Sequence, residues 1–216
     1  MEWRAVFFDF DYTLGDATEA IVTGFQYGFA QMGLPQPERE AVRNTVGYVL
    51  EDAYTLLSGD SGEAGRRRFR QLYLEKASPI QVTDTRLFPG AMELLEALHS
   101  RGIPVGIVSS KGGGVLREIL EARGIVHLLS GITGGDQVAR PKPDPEGLLT
   151  AVSGLGLTAG EILYCGDTVI DAETAQRAGA AFCAVLNGTT GAEAFTAYPH
   201  RHISPDLWDL KAWLGL

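Results

Sequence analysis

The sequence predicts an α/β fold in which a doubly wound parallel sheet forms a core domain and a helical segment is inserted into it. Two observations carry this prediction. Along most of the chain, apolar segments that end in small, polar or acidic residues alternate with helical patterns. These segments are continuously apolar, which is typical of strands buried on both faces of a parallel sheet.

Four apolar segments are predicted as strands, and a weaker fifth lies between the second and the third. The four are residues 5–11, 103–110, 161–167 and 181–188, and the fifth is residues 130–136.

Helical patterns separate the strands. Residues 89–102 place Leu94, Leu95 and Leu98 on one face and end at Gly102, a typical stop signal. Residues 111–124 and 169–180 repeat this arrangement of apolar and polar positions. Each of these segments is therefore predicted as a helix packed on the sheet.

Between the first two strands the rhythm of strand and helix is broken. This part has no strand pattern and contains helical segments at 20–33, 48–57 and 65–78. We therefore predict a helical cap domain at residues 17–83. The catalytic core would then be formed by residues 1–16 and 84–216.

The composition is that of an ordinary globular protein, with 45% hydrophobic and 21% charged residues in 216. A net charge of −9 argues against a broad electrostatic grip on nucleic acid or an anionic membrane. Cys165 and Cys183 show no disulfide or zinc spacing. Neither a signal peptide nor a membrane-spanning stretch is predicted, so we expect a cytoplasmic protein. The sequence does not indicate an oligomeric state.

Polar residues collect where the predicted strands end, which is the edge at which parallel sheets bind ligands. Asp9 and Asp11 close the first strand and point to the same side of it. Asp167 and Asp171 follow the third strand. Either pair alone could be turn or helix-capping aspartates. Together, and without a nearby histidine, they indicate an oxygen-ligand site that suits Mg²⁺.

A cation and a hydroxyl complete this constellation. Lys142 is fixed between Pro141 and Pro143, and a fixed cation beside carboxylates can hold an anionic substrate. Ser109 ends the second strand and is followed by Lys111 and three glycines, a pattern suited to an anion. The combination is typical of a phosphoryl-transfer site.

The same residues resemble the haloacid dehalogenase (HAD) superfamily of aspartate-nucleophile phosphatases over the whole chain. DFDYT at 9–13 matches its first motif, DxDxT, and Ser109 after an apolar strand matches the second. Lys142 in RPKPDP matches the third, and GDTVID at 166–171 matches the fourth, GDxxxD. The resemblance implies a Rossmann-like core with a cap inserted after the first motif.

It also implies a role for each matched residue. Asp9 would be the nucleophile that forms an aspartyl-phosphate, and Asp11 would be the general acid and base. Phosphate binding would involve Ser109, Ser110, Lys142 and Thr13, with Thr13 also fixing the loop. Mg²⁺ would bind Asp9, the backbone carbonyl of Asp11, and Asp167. Asp171 would join directly, through water, or by orienting Asp167.

The implied function is a Mg²⁺-dependent phosphatase that acts on a small phosphorylated metabolite. The segments around 88–102, 105–114 and 140–149 look most like phosphoglycolate-phosphatase-like members. Two alternatives stay open, namely a sugar-phosphate mutase of the β-phosphoglucomutase kind and a catalytically silent scaffold. Tyr12 stands where a small residue is usual in the family. The candidates for substrate choice are Arg43, Asn44, Tyr48 and Arg140.

Overall fold

A six-stranded sheet forms the centre of the computed structural model, which describes residues 2–216. Its strands are β1 (Ala5–Phe8), β4 (Val105–Val108), β5 (Gly131–Thr133), β6 (Ile162–Gly166), β7 (Ala181–Val185) and β8 (His202–Ser204). They are arranged in the order β5-β4-β1-β6-β7-β8, and every neighbouring pair is parallel. The chain leaves β1 toward β4 and later returns to its other side at β6, so the strand order reverses beside β1.

Helices cover both faces of this sheet, which confirms the predicted doubly wound core. They are α5 (Ala91–Ser100), α6 (Gly113–Ala122), α7 (Glu146–Gly154), α8 (Val169–Ala178), α9 (Ala192–Phe195) and α10 (Leu207–Trp213). Side chains alternate along β1: Val6 and Phe8 pack under α5 and α6, whereas Phe7 packs under α7 and α8. Because both faces are covered, all four residues of β1 are buried.

Four helices lie between the first and second strands of the large sheet. They are α1 (Thr18–Gln31), α2 (Arg39–Arg43), α3 (Leu50–Ser58) and α4 (Glu63–Asp84). They share a hydrophobic cluster of their own, in which the aromatic rings of Phe25, Phe29, Tyr54 and Phe69 pack together.

A short antiparallel pair joins the chain at the two ends of this helical segment. In it, β2 (Gly15–Asp16) pairs with β3 (Arg86–Leu87), so that Gly15 lies opposite Leu87. The pair lies where the sequence predicts the joints of a cap. The division into two domains itself stays a prediction.

Several elements differ from the sequence-based expectation. The helix predicted at 65–78 continues through Pro79 to Asp84, because packing along α1 and α6 outweighs the hydrogen bond that proline removes. Strand β8 and helices α7, α9 and α10 lie outside the predicted elements. Three residues are too few for β8 to show a strand pattern. Helix α6 begins at Gly113, which leaves Lys111 in the loop before it.

Within residues 2–216, none of the helices combines the length and the apolar character that a membrane span requires.

Candidate active site

The loop after β1 carries the first pair of carboxylates. The backbone N–H of Asp9 donates to Cys165 of β6 at 2.9 Å, which fixes the start of the loop at the edge of the sheet. Asp9 and Asp11 are both buried, at 2% and 9% exposure. Between Asp11 and Thr13 the chain turns at Tyr12, whose φ of 59° lies in the left-handed region. The Tyr12 hydroxyl pairs with Thr18 at 2.8 Å, which ties the turn to α1.

Lys142 lies among the carboxylates that follow β1 and β6. Its Nζ atom is 3.3 Å from Asp9 Oδ1 and 2.7 Å from Asp171 Oδ1. It also donates to the Tyr164 hydroxyl at 3.1 Å. The second oxygen of Asp171 accepts from the N–H and the hydroxyl of Thr168, at 3.1 and 2.7 Å. Both oxygens of Asp171 are therefore engaged within the protein.

Burial and charge shift the titration of these groups in ways that favour a bound cation. Burial raises the pKa of Asp9 to about 6, although the Lys142 ammonium opposes this shift. Burial and then the Asp171 and Asp9 carboxylates raise the pKa of Asp167 well above its usual value. For Lys142, burial lowers the pKa, but Asp171 and Asp9 outweigh burial and raise it. The raised pKa values of Asp9 and Asp167 show that ionisation of these carboxylates is unfavourable unless a further positive charge lies beside them.

The donor set fits a hard divalent cation. Asp9, Asp167 and Asp171 each place a carboxylate oxygen within 4.8 Å of the others. Among residues 2–216, the buried Asp167 Oδ2 accepts no hydrogen bond, and the buried Asp9 Oδ1 accepts none although the Lys142 ammonium lies 3.3 Å from it. Unpartnered buried carboxylate oxygens are costly, and oxygen-only ligation is what Mg²⁺ prefers. Gly188 keeps the space beside Asp167 Oδ2 open, because a Cβ at this position would lie 2.1 Å from that oxygen.

Ser109, Ser110 and Thr13 occupy different positions relative to this pocket. Ser109 is buried at the end of β4 and lines the cleft above Asp9. The Ser110 hydroxyl donates to the Gly47 carbonyl of the helical segment at 2.7 Å. The Thr13 hydroxyl donates to Asp167 at 3.1 Å and is fully buried. In this structure Ser110 and Thr13 join segments of the protein, and their direct contact with phosphate stays a prediction.

A chain of contacts that sequence reasoning missed connects Asp11 to α4. Lys111 Nζ lies 3.0 Å from Asp11 Oδ2 and also donates to Gln81 Oε1. Gln81 in turn donates to the Tyr73 hydroxyl at 2.9 Å. The one sequence signal for this contact was that Lys111 follows Ser109 by two residues. Its partner Gln81 lies on the part of α4 beyond Pro79, where no helix was predicted.

Two further supporting residues were also missed. Tyr164 of β6 is buried, and its hydroxyl lies 3.0 Å from both Asp171 Oδ1 and the Val108 carbonyl. The Asn187 amide donates to the Thr13 carbonyl at 3.1 Å. A tyrosine inside an apolar strand is a usable sequence signal, because a buried hydroxyl needs a partner.

Above Asp9 and Asp11 opens a cleft of about 580 Å³ between the sheet edge and the helical segment. Of the four candidates for substrate choice, Tyr48 lines this cleft. The Arg43 guanidinium lies 5.8 Å from the centre of the Tyr12 ring and pairs with Glu40 at 2.9 Å. Arg140 is 69% exposed and pairs with Glu146 at 3.1 Å. Asn44 is not among the residues lining the cleft.

Comparison with known proteins shows to which families and structures this chain is similar. The model of the haloacid dehalogenase-like hydrolase family matches residues 6–185. A phosphoglycolate phosphatase of Rhodospirillum rubrum is 28% identical over 98% of this chain and 91% of its own length. An N-acetylmuramic acid 6-phosphate phosphatase of Pseudomonas aeruginosa is 31% identical over 96% and 88%. A Bacteroides fragilis structure described as a haloacid dehalogenase-like hydrolase is 36% identical, with a TM-score of 0.93 and coverage of 96% and 99%.

Proposed function

Since this chain belongs to the haloacid dehalogenase-like hydrolase family, we propose that it is a Mg²⁺-dependent phosphatase acting on a small phosphorylated metabolite. The main support is the buried Asp9 carboxylate, which lies 3.3 Å from the Lys142 ammonium and opens onto the cleft. A desolvated carboxylate held beside a fixed cation is suited to attack an anionic phosphoryl group.

The reaction would proceed in two displacements at phosphorus. An oxygen of Asp9 forms a bond to phosphorus while the bond to the leaving oxygen breaks, and Asp11 gives that oxygen its proton. Water then attacks the aspartyl-phosphate and passes a proton to Asp11. The bond from phosphorus to Asp9 breaks, which releases inorganic phosphate and restores both carboxyl groups.

Asp9 and Asp11 would also hold the metal, together with Asp167. Asp9 and Asp167 would contribute their carboxylates, and Asp11 would contribute its backbone carbonyl. Mg²⁺ bound there would supply positive charge that offsets the charge on the phosphoryl group. Both oxygens of Asp171 accept hydrogen bonds within the protein. We therefore assign Asp171 to orienting Lys142 and the loop of Asp167, rather than to direct ligation.

The helical segment at 17–83 would act as a cap that closes over the substrate. It has its own hydrophobic cluster, and its loop residue Gly47 accepts a hydrogen bond from Ser110 of the core. Such a closure would exclude water from the phosphoryl group until Asp9 has displaced the leaving group.

The direct test is release of phosphate from a generic aryl phosphate with and without Mg²⁺. We expect turnover that requires the metal and is lost in Asp9→Asn. The matched control is Asp84→Asn, because Asp84 is exposed at the end of α4, away from the cleft. Equal rates for wild type and Asp9→Asn would refute the proposal.

Two observations count against the alternatives. A mutase binds a second phosphate at the far end of its cleft, yet every Lys and Arg of residues 2–216 that lines this cleft is paired with a carboxylate. A silent scaffold has no use for the buried Asp9 and Lys142 charges, since burial of ions is costly. Interconversion of hexose phosphates would instead support a mutase.

A further inference from the structure

On the side of the helical segment, the lining of the cleft includes two arginine–carboxylate pairs from α3 and α4, which we call the far wall. Arg70 lies 3.0 Å from Glu51, and Arg66 forms an ion pair with Asp52. All four residues line the cleft. Their side chains are between 26% and 52% exposed, so they are reachable by a ligand without being free in solvent. Because Asp9 lines the same cleft from the core side, a leaving group attached to a phosphate at Asp9 would share this cleft with the far wall.

The charges of this wall cancel. Among residues 2–216, the cations lining the cleft are Lys111, Arg66 and Arg70, and each one is in an ion pair with a carboxylate. A carboxylate on the leaving group would lose hydration on entry and would require an unpaired cation in return. The cleft instead offers it the nearby carboxylates Glu51 and Asp52. A second negative group on the substrate is therefore disfavoured.

Paired ions of this kind suit hydroxyl groups. A guanidinium has five N–H donors, and a single carboxylate partner leaves several of them free. A carboxylate likewise keeps lone pairs beyond those used by its arginine. Because a hydroxyl both donates and accepts, it can bridge Arg70 and Glu51, or Arg66 and Asp52, without adding charge.

The rest of the lining suits the carbon skeleton of such a group. The Tyr48 ring is 44% exposed and lines the cleft, and Phe25 and Leu74 add apolar surface. The volume of about 580 Å³ lies within the range of about 300–1,000 Å³ found for pockets that enclose drug-sized ligands. Glycolate would leave most of this space unfilled.

We propose that the leaving group of this enzyme is a neutral, hydroxyl-rich sugar or polyol held by the Arg66–Asp52 and Arg70–Glu51 pairs. This inference rests on the proposed phosphatase function and names the substrate class of the same site. It assigns the phosphorylated carboxylic acids, phosphoglycolate included, to the poor substrates. The reaction at Asp9 is the same for substrates with neutral and with carboxylated leaving groups, so the far wall would determine which of them is preferred.

The test compares kcat/KM for two pairs of substrates on the wild-type enzyme. Glucose 6-phosphate and sorbitol 6-phosphate carry neutral leaving groups, whereas phosphoglycolate and 3-phosphoglycerate carry a carboxylate. We expect the neutral pair to be preferred by at least about tenfold. Preference for the carboxylated pair, or equal kcat/KM values for the two, would overturn the proposal.

A charge-neutralising variant sharpens this comparison. In Glu51→Gln, Arg70 loses its partner and becomes an unpaired cation, so the ratio of neutral to carboxylated kcat/KM should fall by about tenfold or more. Glu63→Gln is the matched control. The Glu63–Arg67 pair lies on α4, the helix that carries Arg70, and both of its side chains are over 70% exposed and outside the cleft. An unchanged ratio in Glu51→Gln would also overturn the proposal.

Failure of this inference is distinguishable from failure of the proposed function. An aryl phosphate that is hydrolysed with Mg²⁺ and requires Asp9 establishes the phosphatase chemistry whatever the leaving group. Sugar phosphates that are then poor substrates would refute only the assignment of the far wall. No hydrolysis of the aryl phosphate would refute the proposed function itself.

Discussion

The Nζ atom of Lys142 lies 3.3 Å from Oδ1 of Asp9, and both side chains are almost completely buried. Asp171, at 2.7 Å from the same ammonium, is fully buried as well. One cation therefore stabilises two carboxylates that solvent does not hydrate. Because ions of this kind are costly when unpaired, the arrangement depends on all three side chains.

Replacing Lys142 by methionine should destabilise the protein and abolish most activity. The variant leaves Asp9 and Asp171 buried without their cation, which costs on the order of 3–5 kcal/mol at neutral pH. The pKa of Asp9 should rise further, because Lys142 is the main group that lowers it. Urea unfolding and phosphate release measure the two effects. Lys76→Met, at an exposed position of α4, is the control; equal stability of the two variants would contradict this account.

Asp11→Asn should separate the two displacements proposed for the reaction. Without an acid at this position, a poor alkyl leaving group should depart about 10²–10⁴ times more slowly. An aryl leaving group needs no protonation, so the variant should release one burst of aryl alcohol and then stall as the aspartyl-phosphate. Rapid-mixing kinetics would detect the burst, and Asp84→Asn should show none of these effects. Wild-type rates on an alkyl phosphate would refute the role of Asp11.

The strand ends were predictable because a parallel sheet brings them to one edge. The sequence pattern placed Asp9, Ser109 and Asp167 at the carboxyl ends of β1, β4 and β6, and the structure brings them to the same pocket. Lys142 was expected beside the carboxylates because two prolines fix it and because RPKPDP matches a known motif, and its Nζ atom lies 3.3 Å from Asp9.

The contacts between the helical segment and the core were not predictable from local pattern. Gln81 reaches Lys111 only because α4 continues through Pro79, a residue that usually ends a helix. The pairing of Arg70 with Glu51 depends on how α3 and α4 pack, which hydrophobic periodicity alone does not specify. These long-range contacts form the part of the cleft that bears on substrate choice.

The metal-free protein should become more stable as the pH falls from 7 to 5. The folded-state pKa of Asp9 is about 6, above the unfolded value of 3.8, so between these values the native state binds more protons than the unfolded state. Stability then rises toward lower pH, by on the order of 1–3 kcal/mol. Added Mg²⁺ should raise stability most at pH 7, where it does not compete with protons. Thermal melts with EDTA or Mg²⁺ test both statements; an apo protein that loses stability between pH 7 and 5 would contradict them.

Gly47→Ala should weaken substrate binding by disturbing the contact between the helical segment and the core. Gly47 has a φ of +106°, and a Cβ there would lie 2.9 Å from Thr168 Cγ2. Its carbonyl also accepts the Ser110 hydrogen bond, so displacement of the loop would break that contact as well. We expect KM to rise several-fold while kcat changes little, since Asp9 and Asp11 are not touched.

Gly59→Ala provides the control for this variant, because Gly59 has a φ of +75° and a Cβ there meets nothing within 4 Å. It should share the backbone strain of Gly47→Ala, about 1–3 kcal/mol, without a change in KM. Adding Thr168→Ser to Gly47→Ala removes the methyl group that clashes and keeps the hydroxyl that contacts Asp171, so KM should return toward the wild-type value. If Gly59→Ala raises KM equally, or Thr168→Ser fails to rescue, the effect is one of backbone strain and the contact between Gly47 and Thr168 does not set substrate binding.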